Sequence, residues 1–448
     1  DDDTTIVEVK TSDWLQFKKD ASRSATGLGD GPDAPSYGGG YNTNHATSMP
    51  AEIDSGFAIN GSLVFVGTGD TFGGYDTLTL SPNWTYTPTT TTERFITTPA
   101  IYGDYVITVS QVMAEQQVTG VKVYCFEATP GDPYPTVNDG RQEPNAIYDI
   151  IWNRTFDGYN TFASPIVSGG TVYIVMNNQS NNVVIYAFDA DGMMDGVDGT
   201  FSDPFYYWDQ LWYIEVSNDY QGTITRTPAL ESRTLVVPLE QGPETSYLFF
   251  DITPGGIGAL LKGTYPSTGG NVIALPPSIA DDRVAVALSD GTVAVLNLWN
   301  ASIIQECDLG AQISDSGALL FDGSGVYISG GPPNSLYCLD ASNLSDRKWI
   351  YNFTDDKVAT GEMAVFGQYL YVPVSNGTNS TMLAFNKDNG TVKFSFELSD
   401  QAYAPISGAL GNLYLHDVDG TLYKITRYTA IPWELDYEAT TVTGIIGE

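Results

Sequence analysis

Short runs in which Val, Ile, Leu and Tyr alternate with smaller or polar residues recur along the whole chain, each bounded by Gly, Asp or Asn. Alternation with period two puts one face of an extended strand onto a core. No long stretch carries the three-to-four spacing of an amphipathic helix. Laid under one another, the runs share an order: a Pro or Ser opens, an apolar triplet follows, then a Gly/Asp turn, then an alternating strand. TTPAIYGDYVITVS begins at Thr97, ASPIVSGGTVYIVM at Ala163, RTPALESRTLVVPL at Arg226 and PPSIADDRVAVALS at Pro276. DSGALLFDGSGVYISG begins at Asp315, GEMAVFGQYLYVPV at Gly361 and YAPISGALGNLYLH at Tyr403. A degenerate copy, MPAEIDSGFAINGSLVFVGT, begins at Met49.

A second strand follows each of the seven clear copies: VYCFEA from Val123, IYAFDA from Ile185, YLFFDI from Tyr247, VAVLNL from Val293, LYCLDA from Leu336, MLAFNK from Met382 and LYKITR from Leu422. An aromatic strand comes next in most copies, around Trp84, Trp152, Trp212, Trp349, Phe394 and Trp433. Strand, turn, strand, turn, aromatic strand makes one four-stranded blade, and a repeat of roughly 40–65 residues means radial repetition. The sequence therefore predicts an all-β fold, an eight-bladed β-propeller of four-stranded antiparallel blades over residues 49–437. Residues 1–48 form an N-terminal strand and lead-in, and residues 438–448 a C-terminal tail that could donate a strand.

The repeat, with its P-apolar-turn-VYV and YALDA-like halves and its closing Trp, resembles the PQQ-like propeller repeat of quinoprotein dehydrogenases and of non-enzymatic surface and assembly proteins. Asp13, Trp14, Gln16, Phe17, Asp20, Arg23 and Gly27 resemble the lead-in that often precedes the first blade of such proteins. In the enzymes, the resemblance implies a quinone over a Ca²⁺ held by carboxylate and amide ligands, an Asp base, and often a disulfide between adjacent cysteines. This chain has no adjacent cysteines and lacks the large inter-blade insertions that build that site, so no PQQ is expected and the reading is of a non-enzymatic member. Fold does not fix activity.

Composition narrows the partners. With 19 Lys+Arg against 54 Asp+Glu the formal charge is −35, which repels nucleic acid and anionic membranes. Only 16% of residues are charged and 42% are hydrophobic, so the chain can fill a core rather than remain disordered. No apolar run is long enough for a transmembrane segment. The chain opens on Asp1 rather than on Met, which is read as a mature, exported product whose targeting segment has been removed. Ten N-x-S/T sequons, at Asn60, Asn83, Asn153, Asn178, Asn300, Asn343, Asn352, Asn376, Asn379 and Asn389, are glycosylation candidates if the chain is exported. The three cysteines cannot form a disulfide framework.

Candidate chemistry is sparse. Cys125 and Cys338 stand where other repeats have Ala187 and Ala384, which reads as two buried small residues. Cys307 lies between acids, which raise a thiol's pKa. His45 reads as a solvated loop residue and His416 as a strand-end hydrogen-bonding residue. The loop DADGMMDGVDG offers Asp189, Asp191, Asp195 and Asp198 to a hard cation, calcium first. Met193 and Thr200 depart from the EF-hand pattern, and a solvated acidic turn is equally consistent with the loop. PNAIYDIIW and PFYYWDQLW, ending at Trp152 and Trp212, repeat one insertion. Its Trp should pack in the outer strand, and any exposed aromatic there would offer a contact patch.

Leftover strands at Thr4–Thr11 and Ala439–Glu448 should either close the ring or pair with a neighbouring subunit. Together these features predict an extracellular structural, self-assembling cell-surface protein. It would be a filament or surface-layer subunit, a homo-oligomer or polymer joined through terminal strands and aromatic loops. The alternatives are a secreted propeller that binds a carbohydrate or other ligand and, last, a PQQ-dependent oxidoreductase.

Overall fold

A computed structural model describes residues 26–27, 47–48, 56–77, 79–89, 93–114, 117–128, 150–190, 210–216, 220–224, 226–241, 244–252, 258–266, 275–313, 318–330, 334–398, 400–402, 406–409, 412–417 and 421–426. The regular elements among them are all β-strands. They form eight antiparallel sheets, and each sheet is one blade of an eight-bladed propeller. Blade 1 runs from the inner strand Ala58–Asn60 through Leu63–Thr68 and Thr71–Asp76 to the outer strand Pro82–Tyr86. Blades 2 to 7 repeat this order and end in outer strands Ile150–Asp157, Gln210–Glu215, Ala259–Pro266, Ile303–Asp308, Asn343–Asn352 and Val392–Leu398. The Trp-bearing runs are these outer strands, as the repeat predicts.

The ring closes on itself. Ala58–Asn60 lies against both Ala100–Tyr102 of blade 2 and Ser407–Ala409 of blade 8. The Ser407 hydroxyl donates to the Phe57 carbonyl at 3.0 Å, and the Tyr414 hydroxyl to the Thr77 carbonyl at 3.3 Å. In blade 8, Thr47–Ser48 pairs antiparallel with Thr421–Leu422 on the outer side of Thr421–Thr426. Trp433, expected in the outer strand of blade 8, lies outside the described residues, as do Thr4–Thr11 and Ala439–Glu448. Thr26–Gly27 of the lead-in pairs parallel with Val365–Phe366, on the axis side of the inner strand of blade 7.

The Ser/Thr that opens an inner strand has a defined job. The Gly56 amide donates to Thr98 Oγ1 at 2.9 Å, the Thr98 amide to Ser164 Oγ at 3.1 Å, and the Ser164 amide to Thr227 Oγ1 at 3.1 Å. Each hydroxyl thus satisfies a buried amide of the preceding blade, which would otherwise cost about 1–3 kcal/mol. The core is correspondingly a series of apolar layers between neighbouring blades. One layer joins blades 2 and 3 through Val123, Trp152, Ile174 and Phe188, and another joins blades 5 and 6 through Val293, Val295, Phe321 and Leu339.

Third and outer strands fit by size. Gly74 faces Trp84, Cys125 faces Trp152, Ala187 faces Trp212, Cys338 faces Trp349 and Ala384 faces Phe394. Blade 4 inverts the pair, with Phe249 opposite Gly263. The indole N–H of Trp84, Trp152 and Trp349 then donates to a carbonyl of the next blade: Ala128 at 3.1 Å, Ala190 at 3.3 Å and Lys387 at 2.8 Å. Cys125 and Cys338 are buried, and burial pushes the Cys338 thiol up to about 12. Both behave as the small hydrophobes that the sequence predicts.

Candidate functional site

Outer strands are sheet edges, and an edge with free N–H and C=O groups invites another strand unless something blunts it. In blades 1 to 7 the register slips by one residue at the same place, next to the small–large pair or, in blade 5, the Val295–Gln305 pair, leaving one bulged residue in the outer strand. A bulge interrupts the edge ladder. The bulged residue is Lys262 in blade 4, Lys348 in blade 6 and Lys393 in blade 7, and a charge there guards the edge further. In blade 1 it is Asn83 and in blades 2 and 3 the half-buried Ile151 and Leu211. Of these seven blades, blade 5 alone sets exposed apolar side chains here, with Ile304 bulged and Ile303 beside it. These side chains are 42% and 55% exposed.

Around this unguarded edge the rim carries more apolar surface. Leu260 on the outer strand of blade 4 is 71% exposed, and Trp299, in the turn leading into the blade 5 edge, is 44% exposed. The two blades meet closely there, because a Cβ on Gly263 would stand 3.0 Å from the Ala301 Cβ. Lys262 holds its ammonium 5.3 Å from the centre of the Trp299 ring and 3.8 Å from Asp251. Further round, Ile350 and Val392 are also exposed on the outer strands of blades 6 and 7.

The polar groups buried between blades do structural work instead. Glu93 is buried and takes hydrogen bonds from Tyr124 Oη at 2.6 Å and Ser110 Oγ at 3.0 Å, with Lys122 at 3.4 Å. Burial first, and the bond to Glu93 second, hold the Tyr124 phenol protonated far above its ordinary range. Asp417, fully buried, accepts from the Tyr423 hydroxyl at 2.8 Å. No sequence signal pointed to Glu93 or Asp417, since an acid in a polar run reads as solvated.

Asp322 opens the DGSG turn that the sequence reads as a hairpin. Its Oδ1 accepts from the Ser324 and Gly325 amides at 3.0 and 2.8 Å, and its Oδ2 lies 3.2 Å from Lys387 of blade 7. Burial works to raise its pKa; the Gly325 amide, the Lys387 charge and Ser324 outweigh it and hold the carboxyl below its ordinary 3.8. A carboxyl with a depressed folded pKa contributes stability above its unfolded pKa and loses it as pH falls through the folded value. Acid titration of unfolding free energy should therefore drop more steeply below about pH 4 in the native chain than in Asp322→Asn. Parallel curves would show that the carboxylate contributes nothing.

The other predicted site residues distribute as follows. Asp189 ends the third strand of blade 3, opposite Thr171; Asp191, Asp195 and Asp198 lie outside the described residues. Among the described residues no group of three or more His, Cys, Asp and Glu could hold a metal ion. His416 is buried at a strand end, with Nδ1 3.2 Å from the Asp417 carbonyl and its ring edge-on to Phe57 at 5.1 Å, while His45 is not described. Burial first, and the acids beside it as well, push the Cys307 thiol up. Trp152 and Trp212 pack in outer strands as expected, and Tyr213, next to Trp212, is 56% exposed. Asn83, Asn153, Asn300, Asn343, Asn352, Asn376, Asn379 and Asn389 are exposed, and Asn60 and Asn178 are half-buried. No helix among the described residues is long and apolar enough to cross a membrane.

No known protein family profile matches the chain, and no curated protein sequence does. Solved structures do. BamB from Moraxella catarrhalis aligns with a TM-score of 0.56 at 13% identity, covering 86% of this chain and 97% of that one. The quinohemoprotein alcohol dehydrogenase of Comamonas testosteroni aligns at 0.63 and 12% identity, covering 94% and 82%. A europium-containing methanol dehydrogenase aligns at 0.64 and 9% identity, covering 90% and 89%. At such identities the likeness is one of fold, and that fold is the PQQ-like eight-bladed propeller.

Proposed function

We propose that the chain is a non-enzymatic, exported structural protein of the cell surface that assembles with copies of itself through the outer rim of blades 4 and 5. One observation carries the reading: blade 5 exposes Ile303 and Ile304 at the bulge where blades 4, 6 and 7 place lysine. Leu260 on the neighbouring outer strand and Trp299 in the turn before the edge are exposed as well, and exposed apolar patches mark contact sites. Edge-to-edge pairing supplies backbone hydrogen bonds and the isoleucines supply burial. The −35 charge opposes contact between copies, so salt or divalent cations, calcium first, should be required.

Light scattering of the full chain over a range of salt and Ca²⁺ tests this. Mass should rise with ionic strength, and Ile303→Lys/Ile304→Lys should hold the protein at the mass of one chain. A native chain that stays monomeric at every salt concentration overturns the reading. A second reading, capture of a sugar, is favoured by the half-exposed Trp299 ring with Lys262 beside it. Trp fluorescence quenched by an oligosaccharide, and lost in Trp299→Ala, would support it.

A further inference from the structure

The turns between third and outer strands carry a regularity that the fold does not require. In blade 5 the six residues Asn297 to Ser302 make a turn in which the Asn297 amide donates to the Ser302 carbonyl at 2.8 Å and the Ala301 amide to the Asn297 carbonyl at 3.0 Å. Blade 7 repeats it from Asn386 to Thr391, with the same two bonds at 2.8 and 2.9 Å. The fifth residue has a left-handed φ in both, 58° at Ala301 and 70° at Gly390. The fourth residue is a sequon asparagine each time, Asn300 and Asn389, and the sixth supplies the sequon hydroxyl, Ser302 and Thr391. Blade 6 also sets its sequon Asn343 fourth in the turn after Asp340, in a tighter loop where the two residues pair. Blade 1 makes the blade 5 turn from Asp76 to Ser81 with Thr79 fourth. The turn therefore forms without asparagine at that place.

Blades 5 and 7 thus present a sequon at one structural position, and blade 6 between them presents one in the corresponding turn, all on one end of the ring. All three asparagines are exposed. Asn300 Oδ1 accepts the Ser302 amide at 3.0 Å; Asn389 Oδ1 accepts the Thr391 amide and hydroxyl at 3.0 and 2.7 Å. Their carboxamide oxygens are held, while Nδ2 of Asn300, Asn343 and Asn389 meets no partner among the described residues. Three other sequons differ. Asn60 Nδ2 donates to the Gly103 carbonyl at 3.2 Å, Asn178 Nδ2 to Glu215 Oε1 at 2.8 Å, and Asn376 Nδ2 to the Asp355 carbonyl at 3.1 Å.

We infer that Asn300, Asn343 and Asn389 carry Asn-linked glycans, forming a row of sugars on the turn face of blades 5 to 7. The donor class is a lipid-linked oligosaccharide. The Nδ2–C1 bond forms, the bond from C1 to the phosphate oxygen breaks, Nδ2 gives up one proton, and the polyprenyl phosphate leaves. The inference rests on export of the chain. It adds a boundary to the rim, because a glycan on Asn300 stands where the blade 5 edge begins.

Site-by-site peptide mass spectrometry of the full chain purified from its own cells tests it. Asn300, Asn343 and Asn389 should each carry sugar mass and Asn60, Asn178 and Asn376 none. Ser302→Ala, Ser345→Ala and Thr391→Ala should each erase one site and leave the other two occupied, and Ser302→Thr should keep Asn300 occupied. Bare asparagines at all three turns overturn the inference, and so does sugar confined to Asn60, Asn178 and Asn376. Light scattering on the same sample keeps the two readings apart. A bare protein that still assembles sinks the glycan row alone, and a glycosylated monomer sinks the rim contact alone.

Discussion

Replacing Trp84 with Ala should cost the fold about 3–5 kcal/mol, the loss typical of a large aromatic removed from a packed interior. Trp84 is 2% exposed and sits among Phe65, Phe72 and Phe126, with ring centres 6.1, 5.8 and 5.5 Å away. These rings belong to blades 1 and 2, so the cavity would open in the layer that joins them. The variant also leaves the Ala128 carbonyl without the indole N–H that reaches it at 3.1 Å, and an orphaned buried acceptor adds to the loss. Gly74 opposite has no side chain to fill the space; it is glycine because a Cβ there would stand 2.8 Å from the native indole nitrogen. Trp84→Phe keeps most of the packing and loses the hydrogen bond, so its loss should be the smaller of the two. Denaturant midpoints of the three proteins check this order; equal midpoints would mean that the inter-blade layer does not carry the ring.

Glu93→Ala should have an effect of similar size for an electrostatic reason. The carboxylate is 6% exposed and accepts from Tyr124 at 2.6 Å and Ser110 at 3.0 Å, with the Lys122 ammonium at 3.4 Å. Lys122 also sits 4.6 Å from the centre of the Tyr124 ring, and the Tyr124 hydroxyl lies 3.3 Å from that of Tyr86 in blade 1. Removing one partner of a buried ion pair typically costs about 3–5 kcal/mol; Lys122 keeps 21% of its side chain exposed, so the loss should lie toward the low end. Glu93→Gln still offers an oxygen to Tyr124 and Ser110 and gives up only the charge facing Lys122, so it should fall between the native chain and Glu93→Ala. Thermal unfolding of the pair reads this directly. If Gln and Ala cost the same, the ion pair dominates and the hydroxyl contacts contribute little.

These two sites show where the sequence was legible and where it was not. Trp84 stands at a repeated place, and its burial follows from the periodic aromatic strand. The small residue opposite was visible too, as Cys125, Cys338, Ala187 and Ala384; the structure supplies the reason, a Trp or Phe in the facing outer strand. Glu93 gave no signal. Its strand, Glu93–Phe95, is an extra inner strand on the long Tyr105–Ala114, and three residues are too few to show a period. The same holds for Thr47–Ser48 and Thr26–Gly27, whose places are set by the geometry of the ring and not by their own pattern. The rim is a middle case. Ile303, Ile304 and Lys262 could be read from the chain, but their meaning depends on a one-residue slip that only the paired register reveals. The sequons were fully legible, while the shared turn of Asn300 and Asn389, and the corresponding turn that holds Asn343, required the third and outer strands to be placed first.

Electron cryomicroscopy of the native chain at high salt with Ca²⁺ tests the self-assembly reading most directly. Assembly through the rim requires ordered multimers in which the outer strand Ile303–Asp308 of one copy lies against a neighbouring copy, with Leu260, Ile303 and Ile304 buried in the contact. Single propellers with a free rim at every concentration, or multimers joined elsewhere with that strand exposed, would contradict it.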